Sequence, residues 1–294
     1  MGVGVWELLR PAMIKGRQNC ESLLRFKNGK VSDYLEIDLN SLPLRYLSAL
    51  VFIGAYYYSS RQIEGNGLAN WLRGNPVNPD LADSTTNHQE KFWIQQIIGM
   101  GTILQLMYLA AEVHNQIKDN EGSSALNSAF KEETPHFPVL FGDFIFGKLL
   151  KLLGEIDCID RVSSLADIIC QINKGAILRK EILETGRGDR EITVVILNKE
   201  FGHLFFEAGQ IGVLLAGGSH VEANHLGRFG KHLGIIIGAI ERHFDDSIIE
   251  LGRREAIRSL AFLPEGWLRE AAQQLVREIT IGINPERLAV ASGE

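Results

Sequence analysis

The apolar positions of this chain recur at helical intervals rather than alternating. The clearest run is Phe92 to Asp119, FWIQQIIGMGTILQLMYLAAEVHNQIKD, where Ile94, Ile97, Ile98, Ile103, Leu106, Leu109 and Val113 are interrupted by polar or small residues. That spacing predicts one long helix buried on most sides. A second run, Gly230 to Ile240, has the same character and ends in Glu241-Arg242-His243-Phe244-Asp245. Further helices are predicted from Leu44 to about Ser60, from Val139 through Leu153, from Thr193 to Gly217, and from Leu263-Pro264 to Ile279. The last is amphipathic, with Leu268, Ala271, Ala272, Leu275 and Val276 on its apolar side.

Polar, Gly- and Pro-rich stretches separate these runs. Residues 61–91 and 120–124 and the segment between Leu183 and Glu191 read as loops, with N-cap candidates at Asp83-Ser84-Thr85-Thr86. Residues 1–40 are the least regular. Trp6 to Ile14 reads as a short amphipathic helix with Pro11 near its end or at a break, and Val31 to Leu39 as a short helix or an extended piece. The pattern therefore predicts an N-terminal arm (1–40), a single all-α domain (41–283) and a frayed tail (284–294).

Composition narrows the function classes. The 294 residues are 45% apolar and 22% charged, and the net charge of −6 argues against a nucleic-acid-binding surface. The start of the chain lacks a basic segment followed by a clean apolar run, so no signal peptide is expected. Phe92 to Ala111 is long enough to span a bilayer, but Gln95, Gln96 and Gln105 would be costly in lipid, which favours a buried core helix over a transmembrane one. Cys20, Cys158 and Cys170 are odd in number and have no metal-ligand spacing, as expected of reduced thiols in a cytoplasmic protein. His114, His203 and His243 likewise show no tight spacing for a transition metal.

The two most apolar helices end alike. Asn115, Gln116 and Asp119 lie at i, i+1 and i+4 on the first, and Glu241, Arg242 and Asp245 repeat that spacing on the second. On a helix, such positions converge on one side. Other ordered features accompany them: Leu44-Arg45 before the first core helix, Gly142-Asp143, Lys174-Gly175 with Ile177-Leu178, and Lys199-Glu200-Phe201 within the 193–217 run.

In this order and spacing, over about residues 40–280, the set resembles the trans-isoprenyl (polyprenyl) diphosphate synthase family. The resemblance implies an isoprenoid-synthase-type helical bundle around a central cavity. In that family two Asp-Asp-x-x-Asp motifs hold magnesium ions that bind a diphosphate. The matching positions here read Asn-Gln-Ile-Lys-Asp and Glu-Arg-His-Phe-Asp, so only Asp119, Glu241 and Asp245 remain as carboxylates that could hold Mg2+. Of the family's diphosphate-binding cations, Arg45 matches one, and Lys199 falls one residue off its frame. Glu200 and Phe201 stand where a Lys-Thr pair would be, and Arg179 replaces a polar cavity residue. Ala110 and Ala111 occupy the positions that set product length.

These departures imply that the cavity's acidic mouth is neutralised. The reading they favour is a non-catalytic or regulatory subunit of a heteromeric polyprenyl diphosphate synthase. It would pair with an intact homologue or with itself as a dimer, and would need no cofactor. Two alternatives stay open. One is a divergent Mg2+-dependent prenyltransferase condensing an allylic diphosphate with isopentenyl diphosphate. The other is a binding protein for a prenyl chain or other lipid.

Overall fold

The computed structural model describes residues 5–25, 38–39, 41–62, 88–115, 136–186 and 188–281. Ten α-helices account for most of them: α1 (Val5–Leu23), α2 (Leu42–Gln62), α3 (His88–Asn115), α4 (His136–Glu155), α5 (Val162–Thr185), α6 (Arg190–Leu197), α7 (His203–Leu215), α8 (His220–Glu241), α9 (Asp246–Ser259) and α10 (Trp267–Ile281). Among the described residues there is no strand, so the all-α expectation holds. The loop readings at 61–91 and 120–124, the N-caps at 83–86 and most of Val31–Leu39 fall largely or wholly outside the described residues.

The core is built where α2, α3, α7 and α8 meet, and the largest fully buried side chains include Phe52, Ile97, Ile103, Phe201, Phe205 and Phe229. Backbones touch at several places, two of them closest. A Cβ on Gly212 would lie 2.0 Å from the Val51 carbonyl oxygen of α2, and one on Gly230 would lie 2.3 Å from that of Phe205. Glycine is required there because a backbone carbonyl cannot swing aside.

The long apolar helix is long and apolar enough to cross a membrane, but 89% of its most hydropathic window is buried inside the protein. Its glutamines explain how a polar side chain fits such a helix. Gln105 donates to the Leu44 carbonyl at 2.8 Å and accepts from Cys20 at 3.4 Å, joining α3 to α2 and α1. Gln96 donates to the Ile156 carbonyl at 3.0 Å, and Gln95 is exposed. Buried polar groups persist when they are bonded. Cys20, Cys158 and Cys170 are free thiols, and burial pushes the Cys20 thiol up to about 12.

Two features differ from the sequence reading. The first helix does not stop near Ile14 but runs through Pro11 to Leu23. The lost backbone hydrogen bond at Pro11 is offset by burial of Leu9, Cys20 and Leu24 against the core. The continuous helix predicted from Thr193 to Gly217 is divided between α6 and α7 by a π-helical turn at Asn198–Gly202. In the tyrosine run, Tyr58 is buried, while Tyr56 and Tyr57 are half-buried, Tyr56 against Trp267 with ring centroids 4.8 Å apart.

Candidate functional site

The ends of α3 and α8 meet the π turn and the middle of α5, and charged side chains converge there from all four. Arg242, the C-cap of α8, donates from Nη1 to Glu112 Oε2 at 3.0 Å. Its Nη2 donates to Glu112 Oε1, which completes a bidentate pair. From Nε it donates to Glu200 Oε2 at 3.0 Å. Arg179, on α5, donates from Nε to the other oxygen of Glu200 at 2.7 Å. The Glu200 side chain is only 2% exposed, against 17% for Arg242 and 23% each for Arg179 and Glu112. A carboxylate this deeply buried is tolerable because two guanidinium groups satisfy both its oxygens.

The π turn makes this possible. It accommodates one extra residue within a helix, and a helix so widened turns its side chains into a different register. Glu200 and Phe201 are thereby buried, while Lys199 is half-buried and donates to Gln171 on α5 at 2.9 Å. Gly175 lets α5 approach: a Cβ there would lie 2.7 Å from Glu200 Cγ and 2.9 Å from Lys199 Cβ. Phe201 fills the space beneath the ion pairs. A Cβ on Gly238 would lie 2.5 Å from its ring, the Arg242 guanidinium lies 5.3 Å from its centroid, and the Tyr108 ring lies 6.0 Å away.

Each predicted site residue can now be placed. Asn115 is exposed at the end of α3 and lies 3.5 Å from Glu112, whereas Gln116 and Asp119 fall outside the described residues. Glu241 and Arg242 reach the cluster. Burial and then the negative charge of Glu112 push the Glu241 carboxyl upward, and burial does the same to the Tyr108 hydroxyl. Asp245 does not join them, which corrects the expected i, i+1, i+4 convergence on this helix. The helix ends at Glu241, and His243 takes a left-handed φ of 56°. Asp245 therefore caps α9, accepting from the Ser247 amide at 2.7 Å, and those bonds hold its carboxyl below the usual range. Lys199 is bonded to Gln171, Arg45 is exposed in the first turn of α2, and Ala110 and Ala111 are buried in α3. Asp143 is exposed on α4, with Oδ1 3.9 Å from His114 Nε2.

Sequence reasoning passed over Glu112, which is the one charged residue between Lys91 and His114. A lone acid on so apolar a helix needs a counter-ion, and that was the available signal. It also passed over the π turn, although Lys199 falling one residue off frame is the mark of an inserted residue.

Comparison with known proteins adds an independent line. An octaprenyl diphosphate synthase of Haemophilus influenzae is 21% identical over 154 residues, 51% of this chain and 46% of that protein. The chain thus spans about half the length of the curated relatives it matches. A decaprenyl diphosphate synthase from Rhodobacter capsulatus superposes with a TM-score of 0.62 at 12% identity, covering 95% of this chain and 98% of that one. The small subunit of a geranyl diphosphate synthase from Antirrhinum majus does so with 0.58 at 15% identity, covering 94% and 100%. No protein-family model matches the chain. The sequence relatives are polyprenyl diphosphate synthases, and the solved structures that superpose share the fold of this chain.

The magnesium ions that the family resemblance implies can be tested against these residues. Magnesium takes oxygen ligands in near-octahedral geometry, commonly one or two carboxylates, with substrate phosphate and water completing the shell. Here Glu112 and Glu200 spend their oxygens on Arg242 and Arg179, the guanidinium of Arg242 lies between them, and Asp245 caps a helix. Among the described residues no group of three His, Cys, Asp or Glu side chains could hold a metal ion. The described residues do not fit a divalent-ion cluster.

Proposed function

We propose that this chain is a non-catalytic or regulatory subunit of a heteromeric polyprenyl diphosphate synthase, acting in the cytoplasm beside a chain that retains both aspartate motifs. The observation that carries the reading is Arg242, which places a fixed positive charge between Glu112 and Glu200 where α3 and α8 end against the π turn. Ionising an allylic diphosphate requires positive charge aimed at the departing diphosphate as the C–O bond breaks. In this chain the positive charges face inward onto Glu112 and Glu200. The likeness to a subunit described as the small subunit of a geranyl diphosphate synthase supports the same reading.

The test is turnover by the purified chain with Mg2+, an allylic diphosphate and isopentenyl diphosphate, alone and after co-expression with an intact homologue. The chain alone gives no product, and the pair co-purifies and is active. Product from the isolated chain, at a rate above that of the same reaction in EDTA, overturns the proposal and favours the divergent enzyme.

A further inference from the structure

The ion-pair cluster has a second property, independent of any assembly. Two guanidinium groups borne by different helices, α5 and α8, aim at one point, and the anion at that point is the chain's own Glu200 carboxylate. We propose that Arg179 and Arg242 form a metal-independent subsite for phosphate-class anions, and that Glu200 occupies it as an internal ligand.

The geometry supports this in three ways. Each oxygen of Glu200 accepts from a different arginine, at 2.7 and 3.0 Å, which is how an oxyanion is held between two forks. Among the described residues Arg179 donates through Nε alone, so its terminal nitrogens remain available to a larger anion. Both arginine side chains keep some solvent exposure, 23% and 17%, so an anion can reach the position once Glu200 is removed. Lys199, beside Glu200 and bonded to Gln171, adds a further positive charge at the rim. Glu112 opposes binding but is neutralised bidentately by Arg242, and Glu241 is the other nearby acid. In the wild type the tethered carboxylate competes at an effective concentration on the order of millimolar or above, so free anion displaces it poorly. Truncating it uncovers the site.

Thermal unfolding of the isolated chain in EDTA, with inorganic pyrophosphate, inorganic phosphate or chloride at matched ionic strength, tests the proposal. Wild type shifts no more with pyrophosphate than with chloride. Glu200→Ala rises by about 3 °C at saturating pyrophosphate over the chloride control, less with phosphate, and Arg179→Met/Glu200→Ala loses the response. Should Glu200→Ala not fold, Glu200→Gln keeps the shape of the side chain, removes its charge, and shows the same preference for pyrophosphate in weaker form. A Glu200 variant that folds but responds like wild type, or a double variant that responds like Glu200→Ala, overturns it. Neither result bears on turnover or on a partner, so failure here is separate from failure of the assembly reading.

Discussion

Arg242 donates to two carboxylates from three nitrogens, so its loss leaves Glu112 and Glu200 facing each other in a poorly hydrated place. Removing one member of a buried ion pair costs far more than the pair contributes. Arg242→Ala is expected to lower stability by about 3 kcal/mol, read as a fall in the urea midpoint. Arg242→Lys should recover only part of this, because an ammonium cannot grip a carboxylate bidentately. Glu241 gives the pH dependence. Its carboxyl is raised above the ordinary value of 4.5 by burial and by Glu112. A raised acid contributes its stability below its unfolded pKa and loses it as pH rises through the folded one. Glu241→Gln should therefore melt higher than wild type at pH 7, with the difference shrinking as pH falls toward 4.5. A constant difference across that range would show that Glu241 folds with an ordinary pKa. At this scale the sequence displayed the residues but not their bonds. Arg179, Glu200 and Arg242 were each visible as departures from a family pattern, whereas the network joining them depends on three-dimensional approach.

Helix identity and order were legible because apolar periodicity is a local signal, and α2, α3 and α10 lie close to where it placed them, whereas α8 begins at His220, well before Gly230. The failures came where tertiary contacts override a local rule. Pro11 was read as an end or break, yet α1 continues because its buried face packs on the core. The end of α8 was read as one more helical turn, yet the chain leaves the helix and Asp245 starts the next one. Close approach and idle exposure at a glycine differ in what a Cβ would meet. Two substitutions separate them. Gly212→Ala forces a Cβ against the Val51 carbonyl and should cost about 1–3 kcal/mol as overpacking of a rigid contact. Gly147→Ala on α4 meets nothing within 4 Å and should gain about 0.5–1 kcal/mol by restricting the unfolded chain. Urea denaturation of both variants checks the pair, and equal signs would mean that α2 and α7 are not in backbone contact.

For the molecule as a whole, the assembly reading needs a surface, and the exposed leucines of α4 are one to test. Leu140 is 67% exposed and Leu150 50%, on a stripe that also carries Asp143, Gly147, Lys151 and Gly154. The tyrosine run at 56–58 is partly spent inside the protein on Trp267 and on itself. Exposed leucines on a helix otherwise packed against α3 cost little in isolation, but they are the residues that a partner helix would cover. Leu140→Glu/Leu150→Glu should leave the melting temperature of the isolated chain within about 2 °C of wild type, since neither leucine contributes to the core. Against an intact synthase homologue in a pull-down or by calorimetry, the same variant should bind at least about tenfold more weakly, because two charges are placed where the contact would exclude water. A control, Leu183→Glu, alters a leucine that is 74% exposed near the end of α5 and should bind as wild type does. If the α4 variant binds unchanged while the control fails, the partner lies against α5 and the exposed leucines of α4 have another cause.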